Sequence, residues 1–295
     1  MTRTPTTIGG RTFRWGERTF VMGIVNATPD SFSGDGLLAT PDPIEAAVAQ
    51  ARRMVDEGAD LLDVGGESTR PGHDRVTATE EARRVVPIVR AISAALPGTP
   101  ISIDTTKPDV AAAALDAGAS LLNDIWGVGD DPGMRQLAAQ RGVPIVLMHN
   151  REEAHYDDLL GEIVADLERA VGRAIQAGVA PGNILVDPGF GFGKSPEDNL
   201  EVLRELTRLG HLGLPVLLGT SRKSTLGLVL DLPLEDRLEA TIATTVLGIA
   251  AGVDLVRVHD VRANVRAARM ADAIVRRTWP SPPPERDPAP EGGPS

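Results

Sequence analysis

The chain contains no cysteine. Disulfides, thiolate nucleophiles and Cys-ligated zinc are thereby excluded, and the composition suits a cytoplasmic protein. Aromatic residues are scarce, 3% of 295. The core must then be built from Ala, Val, Leu and Ile, which suits helices packed on buried parallel strands. No run of 18 apolar residues exists, and the first 20 residues lack an apolar h-region, so neither a membrane span nor a signal peptide is expected. Positive charge is also short: 30 Lys and Arg stand against 41 Asp and Glu, a net charge of −11. That balance argues against a nucleic-acid or anionic-membrane partner. HExxH and EF-hand patterns are absent, so any divalent ion is expected to be Mg²⁺ held largely by substrate phosphates.

What is present is a repeated alternation. Strand-length apolar runs occur at 20–25, 61–64, 101–103, 121–122, 144–148, 184–186, 215–218 and 255–258. Stretches of helical spacing follow at 43–57, 80–95, 109–117, 132–141, 159–177, 197–209, 237–251 and 261–277. Several of these end in glycine, as in DEGAD, DAGAS, QAGVA and AAGVD, the pattern of a helix feeding a strand. Eight β-then-α units predict a (β/α)8 TIM barrel in a single domain, with an open doubly wound sheet as the alternative. The barrel is expected over 18–278 after an N-terminal extension over 1–17. Seven of the 23 prolines lie in the last 16 residues. Residues 279–295 are therefore read as a Pro-rich disordered tail.

Each apolar run ends in polar residues. Asn26 closes the first, Asp63 the second, Asp104 the third, Asn123 and Asp124 the fourth, and Met148-His149 the fifth. Asp187 and a glycine-rich 189–193 loop follow the sixth, Thr220-Ser221-Arg222-Lys223 the seventh, and Arg257 and His259 end the eighth. Any one of these residues is explained as a helix cap or turn former. Eight on one rim coincide with the face where barrel active sites lie. Asp104, Asn123, Asp187 and Lys223 match the donors and acceptors of a flat nitrogen heterocycle, whereas Arg70, Arg257 and His259 suit a phosphate or pyrophosphate. The segment 188–195 fails both the Walker A and GxGxxG patterns, so it reads instead as a mobile apolar wall carrying Phe190 and Phe192. Phe32 sits likewise on the first loop. Lys223, in a Ser-Arg-Lys-Ser turn, reads as an ordinary donor and not as a Schiff-base amine.

The runs MGIVNATPDSFS, DVGGESTRPG, ISIDTTK, NDIWG, VLMH, VDPGFGFGK, GTSRKS and RVHDV, in this order, resemble the signatures of the dihydropteroate synthase family. The resemblance implies a barrel that condenses 6-hydroxymethyl-7,8-dihydropterin pyrophosphate with 4-aminobenzoate, giving 7,8-dihydropteroate and pyrophosphate in folate synthesis. Sulfonamides compete with aminobenzoate in that family. By resemblance, Asp104, Asn123, Asp187 and Lys223 hold the pterin, with Met148 on its ring. Asn26, Arg257 and His259 hold Mg²⁺ and pyrophosphate. Thr69, Arg70, Pro71, Phe32, Phe192 and Ser224 shape the aminobenzoate site. The site would thus divide into a pterin socket and a separate anion clamp on the first and last strands. One departure is Gly34 followed by Asp35, where the family usually has Ser-Phe-Ser-Asp. A methyltetrahydrofolate methyltransferase would share Asp104, Asn123 and Asp187 but does not need Arg257-x-His259, and a non-catalytic pterin-binding paralogue is the other alternative. The apolar face of ATIATTVLGIAAGV points to a homodimer.

Overall fold

The alternation closes into a ring. The computed structural model describes residues 3–28, 41–67 and 76–278. A short antiparallel hairpin, β1 (Thr6–Ile8) and β2 (Arg11–Phe13), precedes eight parallel strands. These are β3 (Phe20–Asn26), β4 (Leu61–Gly65), β5 (Ile101–Asp104), β6 (Leu121–Asp124), β7 (Ile145–Met148), β8 (Ile184–Asp187), β9 (Leu217–Leu218) and β10 (Leu255–Val258). Hydrogen-bonded neighbours run β8-β7-β6-β5-β4-β3-β10-β9. Val186 pairs in parallel with Val216, and its N–H donates to the Pro215 carbonyl at 3.0 Å, joining β8 to the segment that enters β9. With that last edge closed, the doubly wound alternative is excluded.

The crossovers carry α1 (Pro43–Asp56), α2 (Ala78–Ala95), α3 (Pro108–Asp116), α4 (Gly133–Arg141), α5 (Leu159–Gln176) and α6 (Pro196–Arg204). Both α7 (Ser224–Leu230) and α8 (Leu238–Ala250) follow β9, and α9 (Val261–Val275) follows β10. In α5, the Asp158 side chain accepts from Gly161 N–H, and Leu160, Ile163, Leu167, Ala170 and Ala174 are buried, the three-and-four spacing of one helical face. The four glycine phrases end α1, α3, α5 and α8 as expected, each glycine at positive φ. The helix expected over 197–209 stops at Arg204 and tightens into a 3₁₀ run, Leu206–Leu212, which lays Leu206 and Leu209 in the core. The seven residues of α7 are too few to reveal a period, so the sequence reading has no counterpart for it. No helix among the described residues is long and apolar enough to cross a membrane.

Strand alternation divides the core into two layers. Outward residues such as Val21, Val64, Ile103, Leu122, Leu147, Val186 and Val256 pack under the helices. Inward residues Phe20, Met22, Leu61, Leu121, Val146, Leu185, Leu217 and Leu255 form a second cluster inside the barrel. Ile8, Phe13 and Trp15 join that inner cluster, so the hairpin ahead of β3 supplies the barrel's floor. The Phe13, Trp15 and Phe20 rings pack with centroids 4.8 to 5.6 Å apart. Trp15 donates its indole N–H to Thr6 Oγ1 at 2.9 Å, which removes the cost of burying that donor. Each large apolar side chain removed from water here contributes about 1.5–3 kcal/mol.

Candidate active site

One step up each strand, the barrel interior changes character. Side chains two residues apart share a face, so Leu61 is followed inward by Asp63, Leu121 by Asn123, Val146 by Met148, Leu185 by Asp187 and Leu255 by Arg257. On β5 the corresponding pair is Ser102 and Asp104. A dry layer thus lies directly beneath a polar one, and the polar groups meet in a low-dielectric setting.

The densest charge is around Arg257. Its Nε donates to Asp63 Oδ2 at 2.6 Å and its Nη2 to Asp104 Oδ2 at 2.8 Å, while Asn123 Nδ2 donates to Asp63 Oδ2 at 3.2 Å. The Asp63 side chain is wholly buried. Its Oδ1 and the Ser102 hydroxyl, on paired strand positions, have no hydrogen-bond partner among the described residues. Burial pushes Asp104 up to about 7; Arg257 opposes the rise and the Asp63 charge adds to it. Burial works against the Arg257 charge too, yet Asp63 and Asp104 outweigh it and hold its pKa above the ordinary value. Arg257, expected in the anion clamp, is thus bonded to the carboxylates of β4 and β5, beside the residues expected to hold the pterin.

Asp187 and Lys223 stand on other strands. Asp187 Oδ1 accepts from Gly189 N–H at 2.6 Å, and burial raises its pKa to about 6, partly offset by that bond and then by Lys223. Lys223 comes after β9, its Nζ 3.8 Å from the centroid of the Phe192 ring, a cation–π contact. Met148 is buried at the end of β7, and Asn26 is half-buried at the end of β3. Ser224, the first residue of α7, is exposed. Past β10, His259 is held twice by Ser221: its backbone N–H donates to Ser221 Oγ at 3.1 Å, and Oγ lies 2.9 Å from Nδ1. Both contacts tie the His259 ring and backbone to the segment after β9, and they fix the orientation of the imidazole.

The glycine-rich loop corrects one expectation. Phe190 is 1% exposed and packs in the outer core, so only Phe192 of the pair faces the site. The wall is also pinned: Gly191 N–H donates to Asn199 Oδ1 at 2.6 Å, Phe192 N–H to Gly189 O at 3.1 Å, and Tyr156 Oη to Gly193 O at 2.6 Å. One of these bonds, from Tyr156, comes from a residue 37 positions away. Phe32, Thr69, Arg70, Pro71 and the Gly34-Asp35 departure lie outside the described residues.

Sequence reasoning noticed Asp63 and Ser221 only as strand-end polar residues. Their roles as partners of Arg257 and His259 depend on strands far apart in the chain, although the inward step from Leu61 to Asp63 was a usable signal. No group of three or more His, Cys, Asp or Glu that could hold a metal occurs among the described residues.

Comparison with known proteins agrees with the site's chemistry. A family model described as pterin binding enzyme matches residues 22–259. The chain is 52% identical to a dihydropteroate synthase of Clostridium beijerinckii, over 92% of this chain and 99% of that protein. The structure of a Xanthomonas albilineans dihydropteroate synthase with 4-aminobenzoic acid is similar at a TM-score of 0.86 and 44% identity, covering 95% of this chain and 100% of that one. A Yersinia pestis dihydropteroate synthase in complex with a sulfonamide drug is similar at a TM-score of 0.86 and 39% identity, covering 92% and 98%.

Proposed function

The chain belongs to the dihydropteroate synthase family of pterin-binding enzymes, and from that premise we propose how its own residues share the condensation of a dihydropterin pyrophosphate with 4-aminobenzoate. The observation that carries this reading is the polar ring one step above the inner apolar layer, with Asp104 and Asp187 raised to about 7 and about 6. Asp104, Asn123 and Asp187 accept from and donate to the pterin edge, Lys223 donates to a ring oxygen or nitrogen, and Met148 packs on the ring face. His259 and Arg257 meet the pyrophosphate. Phe32, Thr69, Arg70, Pro71, Phe192 and Ser224 form the aminobenzoate site.

The step breaks the C–O bond between the pterin methylene and pyrophosphate, which leaves with the electron pair. Positive charge develops on the pterin, and Asp104 and Asp187 stabilise it from below. The aniline nitrogen then forms the new C–N bond; the resulting anilinium is acidic and gives its proton to the released pyrophosphate or to water, so no strong base is required. Asn26 fits the ion this chemistry implies: a lone neutral amide oxygen suits Mg²⁺, which keeps water and phosphate oxygens as its other ligands. When bound, Mg²⁺ supplies charge neutralisation of the leaving pyrophosphate. Sulfonamides are expected to compete with aminobenzoate, and the cysteine-free composition suits a cytoplasmic setting.

With Mg²⁺ and the pterin substrate, purified protein will release pyrophosphate only when 4-aminobenzoate is added. Tight pterin binding without turnover would instead identify a non-catalytic paralogue.

Exposed apolar side chains support a pairing of two copies. Leu228 and Val229 on α7, Leu247 on α8, and Met270 and Ile274 on α9 are 56% to 68% exposed, more apolar surface than a solvent-facing barrel helix carries. α8 and α9 also pack side by side. Sedimentation will give about twice the 31.1 kDa chain mass. Leu247→Glu combined with Ile274→Glu will yield a monomer; an unaltered mass in that variant would rule this face out.

A further inference from the structure

The glycine loop that presents Phe192 to the site is gripped from behind by a lysine the mechanism above does not use. Lys194 Nζ lies 3.1 Å from Gly189 O, 3.0 Å from Phe192 O and 3.0 Å from His149 Nδ1. An ammonium has three N–H donors, and these three acceptors take all of them. His149 is fully buried, and its Nε2 lies 3.2 Å from Asp166 on α5. Burial, with Lys194 next, drives the His149 pKa down to about 3, so the ring is neutral. With Asp166 accepting from Nε2–H, Nδ1 is the acceptor that Lys194 requires. Asp166 is itself fixed by Arg151 at 2.8 Å. A chain of contacts thus runs from α5 through His149 and Lys194 to the loop, and through Phe192 to Lys223.

We infer that Lys194 is a positioning residue, which ties the carbonyls of Gly189 and Phe192 to His149 and so sets the Phe192 ring against the Lys223 ammonium. The physical case rests on which atoms are held. Gly189 and Phe192 are the two ends of the loop's turn, joined by the Phe192 N–H bond to Gly189 O. One buried Nζ bonded to both carbonyls opposes opening of that turn. Burial lowers the Lys194 pKa to about 7, with Asp187 opposing the fall. An Nζ buried at such desolvation cost and bonded to backbone acceptors serves the loop's geometry and not solubility. The inference rests on the synthase reading only for what the loop then does; the grip itself is independent of the reaction.

The test is Lys194→Met, which keeps length and apolar volume but removes the donors. Amide hydrogen exchange at Gly191 and Phe192 is expected to quicken by about tenfold or more, since charge-assisted bonds to both carbonyls are lost. Titration calorimetry with the pterin substrate is expected to show affinity lowered by a similar factor, with kcat changed less than KM. Phe192→Ala will lower affinity comparably, and the double variant will be no worse than either alone, because both changes act through one ring. Unchanged exchange in Lys194→Met, or effects that multiply in the double variant, would overturn the assignment. If the methionine variant fails to fold, Lys194→Gln, which keeps an N–H pair without the charge, carries the same comparison with a smaller expected rise. Should the unaltered protein prove unable to turn over, the exchange and calorimetric arms still decide the role of Lys194, so the two failures stay distinct.

Discussion

Replacing Arg257 by methionine is expected to cut turnover by about a hundredfold to a thousandfold and to destabilise the barrel by about 3–5 kcal/mol. Two carboxylates depend on this one guanidinium, and one of them, Asp63, has no exposed side-chain surface. Without Arg257, Asp63 keeps only the Asn123 amide among its described partners. Asp104 loses the group that most opposes its upward shift, so its neutral form gains, and a neutral carboxyl pairs less well with a ring N–H or a developing cation. The variant should therefore weaken the pterin side as well as the pyrophosphate side, which a separate anion clamp would not do. Urea denaturation and initial rates of pyrophosphate release measure the two effects. Adding Asp63→Asn should restore part of the lost stability, because an unpaired buried charge is then removed. If Arg257→Met alone unfolds at the parent's urea midpoint, the account of this cluster is wrong.

Gly189→Ala carries the second large effect, a loss of about 3 kcal/mol or more in stability together with loss of pterin binding. Gly189 has φ +69°, and a Cβ there would stand 1.8 Å from the His149 carbonyl oxygen, a backbone atom with no rotamer through which to withdraw. Relief would require separating the loop from β7. That movement would also break the Gly189 N–H bond to the Asp187 carboxylate, 2.6 Å long. Gly172, in the middle of α5 with nothing within 4 Å of its Cβ direction, is the control. Alanine there should leave binding intact and stabilise the helix by about 0.5–1 kcal/mol. Equal behaviour of the two alanine variants in thermal unfolding would show that the close approach at Gly189 is unimportant.

How much of this was legible beforehand differs from feature to feature. The strands 61–64, 184–186 and 255–258 could be read because buried parallel strands are short continuous apolar runs, and α5 because its buried residues repeat every three or four positions. The polar rim was legible for the same local reason, since each polar residue ends its own strand. Phe190 and Phe192 look alike in sequence, yet one is core and the other faces the site. A two-residue step in a loop whose glycines sit at positive φ follows no period, so the chain's path has to be known.

By itself the sequence determined the barrel, the face that carries the chemistry and the family, since these rest on local periodicity and on motifs contiguous in the chain. Only the tertiary structure decided who bonds to whom across the rim. Arg257 lies 194 residues from Asp63 and 153 from Asp104, and Lys194 lies 45 from His149. The Arg257 pairs come within hydrogen-bond reach only when the eighth strand closes against the first, and the Lys194 pair only when β7 and β8 lie side by side; no pattern within a single strand or helix encodes those distances.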